Sequence, residues 1–472
     1  MIAAAGAAGV QPANAVRLGQ GDLLSSLGEQ GIDDLRACLA SSDTLDAYYL
    51  VDSSGSMKKT DPGILRAELL ANSLRELASL SEDVNVSYSL GFFSSRFTAS
   101  IPWTAVTAGS ISQETDRVTD AVRAQPASGG TDWQSAIAGA QTELQSSGRD
   151  GCKALIWLTD GGISVGNNTP ETNATALNQL CGMPIRADGA PPVAGAGGVF
   201  NELRQAGTVV FGVMLRDNGV KDSQIEYVPY MRPLVEGEGE VAGSPVTCGE
   251  HPIPERFAHG VYLEASSADD LAVVFLRLGA LVGGGTESPF AADGTFPVDA
   301  GIASFSIVTS SPEWTLHSPQ GRAIDASTAE DSGFRLERSG GAARLISPLI
   351  EARDVGTWRW ESASREADTL YYASGLRMQL DEPKTFLAGA DNELSGRVLR
   401  DGSDRANLTD YRYELSLSVV TPAGVSEVNA DRIDLDEEDG EFTFHYLATD
   451  ASGVVTLQAS SRVSAPCLRA FR

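Results

Sequence analysis

From residue 46 to about residue 281, short apolar runs alternate with amphipathic stretches, the pattern of strands and helices interleaved in a mostly parallel sheet. The runs at 47–51, 84–92, 97–101, 154–159, 209–215 and 261–264 read as its strands. The stretch 64–80 puts Leu65, Leu69, Leu70, Leu74 and Leu77 on one helical stripe, and 133–144 does the same with Ile137, Ala140 and Leu144. Residues 268–281, with Leu271, Phe275, Leu278 and Leu281, read as a core helix. Strands this apolar need helices on both faces. Two connections are too long for tight turns: 161–198, rich in Gly, Asn and Pro, and 216–259, which contains Glu236-Gly-Glu-Gly-Glu240. Loops longer than about 15 residues are usually functional or disordered, and both of these leave the carboxyl ends of strands and crowd one rim.

Past Gly283-Gly-Gly-Thr286 the helical period disappears. Segments such as 304–308, 344–346, 357–360, 415–419, 441–446 and 454–458 alternate apolar and polar positions between Gly, Asp, Ser and Pro turns, as antiparallel sandwich strands do. At roughly 100 residues per Ig-like sandwich, this part holds two modules with a boundary near Asp381-Glu-Pro-Lys384. The expected organisation is an N-terminal segment with a short helix (1–42), a doubly wound α/β domain with a mostly parallel six-stranded sheet (43–285), and two β-sandwich modules (286–382 and 383–472).

Charge narrows the function. Lysine plus arginine number 35 against 63 aspartate plus glutamate, a formal net charge of -28 over 472 residues. Such a chain repels a phosphate backbone and anionic lipid, which argues against nucleic acid as partner, but it suits a cation, or a partner recruited through one. The longest apolar stretch, 271–282, is interrupted by Arg277 and is shorter than the ~18 residues of a membrane span. Residues 1–15 are small and apolar and end in Ala13-Asn14-Ala15 like a signal-peptidase site, yet no Lys or Arg precedes them; an export-signal remnant and a plain Ala/Gly terminus both stay open. The other end, Cys467 to Arg472, leaves an anchor beyond it an open expectation as well. Five cysteines without C-x-x-C and only four histidines argue against a structural zinc cluster and leave disulfides open.

Candidate chemistry gathers where the first strand ends, at Asp52-Ser53-Ser54-Gly55-Ser56. This D-x-S-x-S pattern sets one carboxylate and two hydroxyls on a single loop, and hard oxygen donors suit magnesium. Thr131 of Ser128-Gly-Gly-Thr131 stands just before a helix, and Asp160 of Leu158-Thr-Asp-Gly161 ends the fourth core strand. In an open parallel sheet, ligands bind outside the carboxyl ends of strands where the strand order reverses, so these three loops have a place to meet.

At these residues the sequence resembles the von Willebrand factor A domain, whose metal-ion-dependent adhesion site has the form D-x-S-x-S, then T, then D in chain order; all five positions match. The resemblance covers about residues 44–282 and implies strand order 3-2-1-4-5-6, with the strand at Phe97 antiparallel at the edge. It further implies that Ser54 and Ser56 bind the cation directly, Thr131 in the ligand-competent state, with Asp52 and Asp160 mostly holding its waters. Hydroxyl ligands leave the cation electrophilic, so an incoming Glu or Asp can replace a water on it. Mg2+ is the expected ion, with Mn2+ or Ca2+ as alternatives. The resemblance makes the first and fourth strands neighbours, so Cys38 and Cys152 are expected to pair at their amino ends. Cys181 and Cys248, in the two rim insertions, are expected to pair at the opposite end.

Competing readings rest on thinner patterns. Gly162-Ile-Ser164-Val-Gly166 matches G-x-S-x-G, but Ser164 comes four residues after the strand and Asn167-Asn-Thr-Pro170 opens a loop, so the nucleophile-elbow context is wrong; His251 and His259 are its candidate bases. Residues 431–441 could hold calcium through Asp434, Asp436 and Glu438, yet Asp439 stands where an EF-hand needs Gly, and a solvated turn is the expectation. Trp358 and Trp360 share a strand face as core or as a sugar platform, with core expected. The leading expectation is a secreted or cell-surface, non-enzymatic adhesion protein that captures an acidic residue of a protein partner. The alternatives are an intracellular scaffold or chaperone subunit and, third, a hydrolase using Ser164.

Overall fold

The computed structural model describes residues 4–5, 24–42, 44–79, 84–107, 109–182, 198–215, 227–250, 253, 257–265, 268–282, 285–299, 301–339, 341–363, 368–381, 391–400, 412–421, 424–427, 433–447 and 456–464. They fall into two compact units, an α/β unit (residues 20–282) and a β unit built mainly from residues 283–472. Ala13-Asn14-Ala15, His251 and Cys467 lie outside the described residues.

The α/β unit is organised by strands β1 (Thr44–Asp52), β2 (Asn85–Phe93), β3 (Phe97–Ala105), β4 (Cys152–Thr159), β5 (Thr208–Leu215) and β6 (Val261–Ala265). Their order across the sheet is β3-β2-β1-β4-β5-β6, parallel throughout except for the edge pair β2/β3. Because side chains alternate along a strand, central β1 is buried on both faces. Tyr48 and Leu50 join a cluster with Trp133, Trp157, Leu177 and Phe200, whereas the Tyr49 hydroxyl reaches Ser73 on the other face at 3.1 Å. Helices α4 (Trp133–Ser146), α5 (Pro170–Cys181), α6 (Val199–Gln205) and α7 (Met231–Glu236) contribute to the first face. Helices α1 (Ser26–Ser41), α2 (Leu65–Ser79), α3 (Ile111–Ala124) and α8 (Ala268–Val282) complete the unit. Among the described residues no helix is long and apolar enough to cross a membrane.

The long connections are more ordered than their composition suggests. The first contains α5, where a loop was expected from Asn167 onward. Thr169 caps it in a reciprocal box with Thr172, Pro170 occupies its first turn, and Gly182 ends it with φ of 74°. Its apolar stripe, Ala176, Leu177 and Leu180, is buried. In the second connection, Glu238–Val241 pairs with Ser244–Thr247 through a two-residue turn in which Ala242 and Gly243 both have positive φ, the twist-matched hairpin geometry. The Glu-Gly-Glu stretch is therefore a strand whose acidic side chains line one side of a ribbon, not an irregular acidic loop.

Two disulfides close this unit, Cys38–Cys152 and Cys181–Cys248. The first joins α1 to the opening residue of β4. Along α1, Gly31 permits close approach to the chain before β6, since a Cβ there would stand 2.9 Å from the His259 carbonyl. The second bridge does join the two insertions, but below the rim. Helix α5 carries Cys181 roughly 18 Å away from its start beside the strand ends, and the Cys248 carbonyl accepts a hydrogen bond from Arg204 at the end of α6.

In the β unit, a five-stranded sheet, β7-β15-β9-β13-β12, and a four-stranded sheet, β8-β14-β10-β11, share one core. Their strands are β7 (Gly285–Ser288), β8 (Thr295–Val298), β9 (Ile302–Thr309), β10 (Trp314–His317), β11 (Ala323–Ile324), β12 (Arg335–Ser339), β13 (Ala342–Ile346), β14 (Gly356–Ser362) and β15 (Thr369–Ser374). Trp358 and Trp360 are both core residues: Trp360 stacks on Trp314 with ring centroids 5.1 Å apart and donates to Asp368. Two further sheets follow. One is β16-β17-β21-β20, from β16 (Leu376–Leu380), β17 (Asp391–Arg400), β20 (Ile433–Leu435) and β21 (Glu441–Leu447). The other contains β22 (Thr456–Ser464), β18 (Arg412–Thr421), β19 (Gly424–Glu427) and the two-residue strand Ala4–Ala5. Strand β16 precedes the expected boundary near residue 381 and pairs with β17. The acidic segment between β20 and β21 is a turn in which the Asp436 carboxylate accepts from the amides of Glu438 and Asp439 and Gly440 has φ of 69°.

Candidate functional site

The structure brings Asp52, Ser54, Ser56, Thr131 and Asp160 to one place, at the carboxyl ends of β1 and β4. Adjacent central strands carry the two carboxylates there: Val51 is paired with Leu158, one residue before Asp52 and two before Asp160. Thr131 comes from the loop that leads into α4, which Asp132 caps by accepting from Ser135 N at 2.9 Å.

Backbone contacts lock the loops to one another. Ser53 N donates to Phe93 O at 2.8 Å, Ser128 N to Ser53 O at 2.7 Å, Gly55 N to Gly129 O at 3.1 Å and Ser164 N to Thr131 O at 2.8 Å. Gly129, with φ of 88°, is needed here, since a Cβ would lie 2.8 Å from Ser95 Oγ. The hydroxyls converge on the same small region: Ser54 Oγ and Ser56 Oγ are 2.9 Å apart. A Cβ on Gly161 would stand 3.7 Å from Ser56 Oγ and 4.0 Å from Thr131 Oγ1.

Electrostatically the site is a pair of desolvated acids. Asp52 is 0% exposed and Asp160 3%. Burial, reinforced by the neighbouring negative charge of Asp160, pushes the Asp52 carboxyl well above the usual carboxylate range; hydrogen bonds from Thr159 and Ser54 oppose this. Asp52 Oδ2 accepts from Thr159 Oγ1 at 2.6 Å and Oδ1 from Ser54 N at 2.6 Å. Burial likewise raises Asp160, against hydrogen bonds from Thr60 and Ser56 and the charge of Arg66. Ser56 Oγ donates to Asp160 Oδ1 at 2.7 Å, and Thr60 Oγ1 donates to Oδ2.

Three supporting features were not read from sequence. Thr159 is the residue before Asp160 and turns its hydroxyl to the other carboxylate. Thr60 lies one helical turn after Ser56, in the single turn Met57–Thr60, and that i, i+4 spacing was the available signal. Asp61 and Arg66 form a buried ion pair at 2.7 Å, and Asp61 also accepts from Leu65 N at the start of α2. Thr60→Val removes a donor to Asp160 at nearly constant shape. It is expected to cost about 1–2 kcal/mol of stability in metal-free protein, recovered by Thr60→Ser. Urea unfolding of the three proteins checks this, and coincident curves would show that the hydroxyl contributes nothing.

The serine of the G-x-S-x-G segment lies against the site loop. Ser164 forms an isolated antiparallel bridge with Thr131 and so helps to fix the site loop. His259 does not approach it: its Nδ1 lies 3.0 Å from Asp34 of α1, and β6 begins two residues later, so it stands at the amino ends of the strands. Among the described residues no group of three or more His, Cys, Asp or Glu side chains is placed to hold a metal.

The family model for the von Willebrand factor type A domain matches residues 48–163. No curated protein matches the chain. Among solved structures, the chain is similar to a von Willebrand factor type A protein from Catenulispora acidiphila, with 11% identity, TM-score 0.33 and coverage of 87% of this chain and 67% of that one. It is also similar to the pilus adhesin SpaC from Lactobacillus rhamnosus GG in its open conformation, with 13% identity, TM-score 0.34 and coverage of 89% and 56%. A third is the vWF domain of the type V pili tip protein Mfa5 from Porphyromonas gingivalis, with 11% identity, TM-score 0.31 and coverage of 51% and 95%. This chain thus spans little more than half of the SpaC chain. The family match falls on strands β1 to β4, and with the sheet order β3-β2-β1-β4-β5-β6 the α/β unit has the fold of a von Willebrand factor type A domain.

Proposed function

We propose that this protein is an extracellular or cell-surface binding protein that captures an acidic residue of a protein partner through a divalent cation held at the rim of the α/β domain. The observation that carries the reading is the convergence of two buried, mutually repelling carboxylates with the hydroxyls of Ser54 and Ser56, beside Thr131. Two desolvated acids side by side are costly without a positive charge, and small oxygen donors around them match a hard cation such as Mg2+, or Mn2+ or Ca2+ in its place. Ser54, Ser56 and Thr131 would hold the ion, and Asp52 and Asp160 would orient its shell. When bound, the cation supplies a positive centre able to accept an external carboxylate. The chain's own residues keep the hydroxyls in place and exclude bulk water from the acids.

Location outside the cell is supported by the two disulfides, which persist in oxidising compartments. A non-enzymatic role fits the separation of Ser164 from His259. Capture by cross-linking on intact cells or extracellular matrix, with Mg2+ or with EDTA, tests the reading. Recovery of the same partner in EDTA, or by the Asp52→Ala protein, would refute a cation-mediated contact.

A further inference from the structure

The exposed charges of the loops around the site are opposite in sign to the net charge of the chain. Acids outnumber bases 63 to 35 overall, yet Lys58 and Lys59, two of only five lysines, lie two and three residues after the D-x-S-x-S residues. They occupy the single turn Met57–Thr60, whose first and last residues are buried, so Lys58 and Lys59 are the pair it presents to solvent. Lys59 N donates to Ser56 O at 2.7 Å, which fixes this turn beside the hydroxyl pair. Arg96 is exposed in the β2–β3 loop, next to Ser95, whose hydroxyl accepts from Gly130 N at 2.8 Å in the loop that carries Thr131.

The acids of these loops are turned inward. Asp52, Asp61 and Asp160 are buried, and Asp132 is half-buried as the cap of α4. In loops 52–64, 94–96, 125–132 and 160–169, the exposed charged residues are therefore Lys58, Lys59 and Arg96, all basic. A strongly acidic protein repels an acidic segment over most of its surface, whereas the exposed charges of these loops attract one, Glu171 in the first turn of α5 being an exposed acid next to them; complementary charge at such a place governs approach and orientation more than it adds affinity.

We infer that the partner presents an acidic segment, several neighbouring Asp or Glu residues, and not an isolated carboxylate: one acid faces the cation, and those flanking it lie over Lys58, Lys59 and Arg96. This rests on the cation-mediated reading above and adds the class of partner to it. Each exposed pair contributes a small factor, so the lysine pair together is worth about tenfold in affinity at low salt.

The test uses the full chain and two blocked peptides, hexaglutamate and a control with one glutamate followed by five glycines, titrated calorimetrically with excess Mg2+. Hexaglutamate is expected to bind about tenfold or more tightly than the control. Lys58→Gln/Lys59→Gln is expected to lower that ratio severalfold, as is 0.5 M salt, while the Mg2+-induced melting shift is retained. Equal binding of the two peptides, no binding of hexaglutamate to Mg2+-loaded protein, or a ratio unchanged in the double variant overturns the proposal. A wild-type protein without any Mg2+-induced shift overturns the cation reading instead. Hexaglutamate titrated in EDTA then decides the surface alone, lysine-dependent binding supporting it and lysine-independent or absent binding overturning it.

Discussion

Mg2+ added to metal-free protein is expected to raise the melting temperature of the α/β domain, and Asp52→Ala is expected to abolish the rise. A ligand that binds only the folded state stabilises it by about 2.7 kcal/mol at a hundredfold excess over its dissociation constant. For a domain of this size that corresponds to a shift of roughly 5–10 °C. Asp52 is central because its two oxygens are held by Ser54 N and Thr159 Oγ1, which orients the loop bearing both serine hydroxyls. Ser54→Ala removes a hydroxyl directly and should behave alike. Thr131→Ala should differ: it leaves the Ser54, Ser56 and Asp160 arrangement intact, so metal still binds while partner affinity falls. Differential scanning calorimetry with Mg2+ against EDTA decides the matter. A wild-type melt indifferent to Mg2+, with no heat on titration, would mean that these residues serve only to shape turns.

Reduction of the disulfides should have an effect of similar or greater size. Cys38–Cys152 closes 114 residues of sequence and Cys181–Cys248 closes 67. Loop-entropy arguments give about 4–5 kcal/mol for loops this long, and measured losses on removing native bridges run at about 2–5 kcal/mol. Cys38→Ser/Cys152→Ser is therefore expected to lower the melting temperature by roughly 5–15 °C. The bridge tethers α1, whose Asp34 also binds His259 and whose Arg36 donates to the Leu281 carbonyl of α8 at 2.7 Å, so its loss should loosen the amino-end face. Cys181→Ser/Cys248→Ser should instead expose the second insertion to proteolysis near the hairpin 238–247. An unchanged melt for both double variants would show that neither bridge restrains the unfolded chain.

Much of the architecture is local enough to be legible in one sequence. The strands of the α/β domain are near-continuous apolar runs, because both faces of a central strand such as β1 are buried, and runs of that kind bounded by amphipathic helices leave few alternatives. The convergence of the five candidate residues was also legible, because they lie on the loops that follow β1 and β4 and lead into α4, and strand ends converge where the sheet order reverses. The pairing of Cys38 with Cys152 followed once the family resemblance made β1 and β4 neighbours, and that of Cys181 with Cys248 from their places in the two long connections.

Other features depend on contacts distant in sequence. Helix α5 was read as loop because its cap, Thr169, and its Pro170 sit in an Asn- and Gly-rich stretch whose composition outweighed a short apolar stripe; burial of Leu177 and Leu180 against the core decides it. The hairpin at 238–247 depends on positive φ at Ala242, which propensity does not favour and the two strands impose. Thr60 and Thr159 become site residues only because Asp160 and Asp52 lie 100 and 107 positions away in sequence and within hydrogen-bond reach in space. The two tryptophans of β14 face one side by strand periodicity alone, but only the sheet opposite, packed on them, makes that side a core. By itself, then, the sequence determined the central strands of the α/β domain, the helices with a long apolar stripe and the side chains at the strand ends, since those depend on periodicity and turn chemistry. Which polar groups are desolvated together, and which charges are left facing water, only the tertiary structure decided, because burial is a property of packing between segments far apart in the chain.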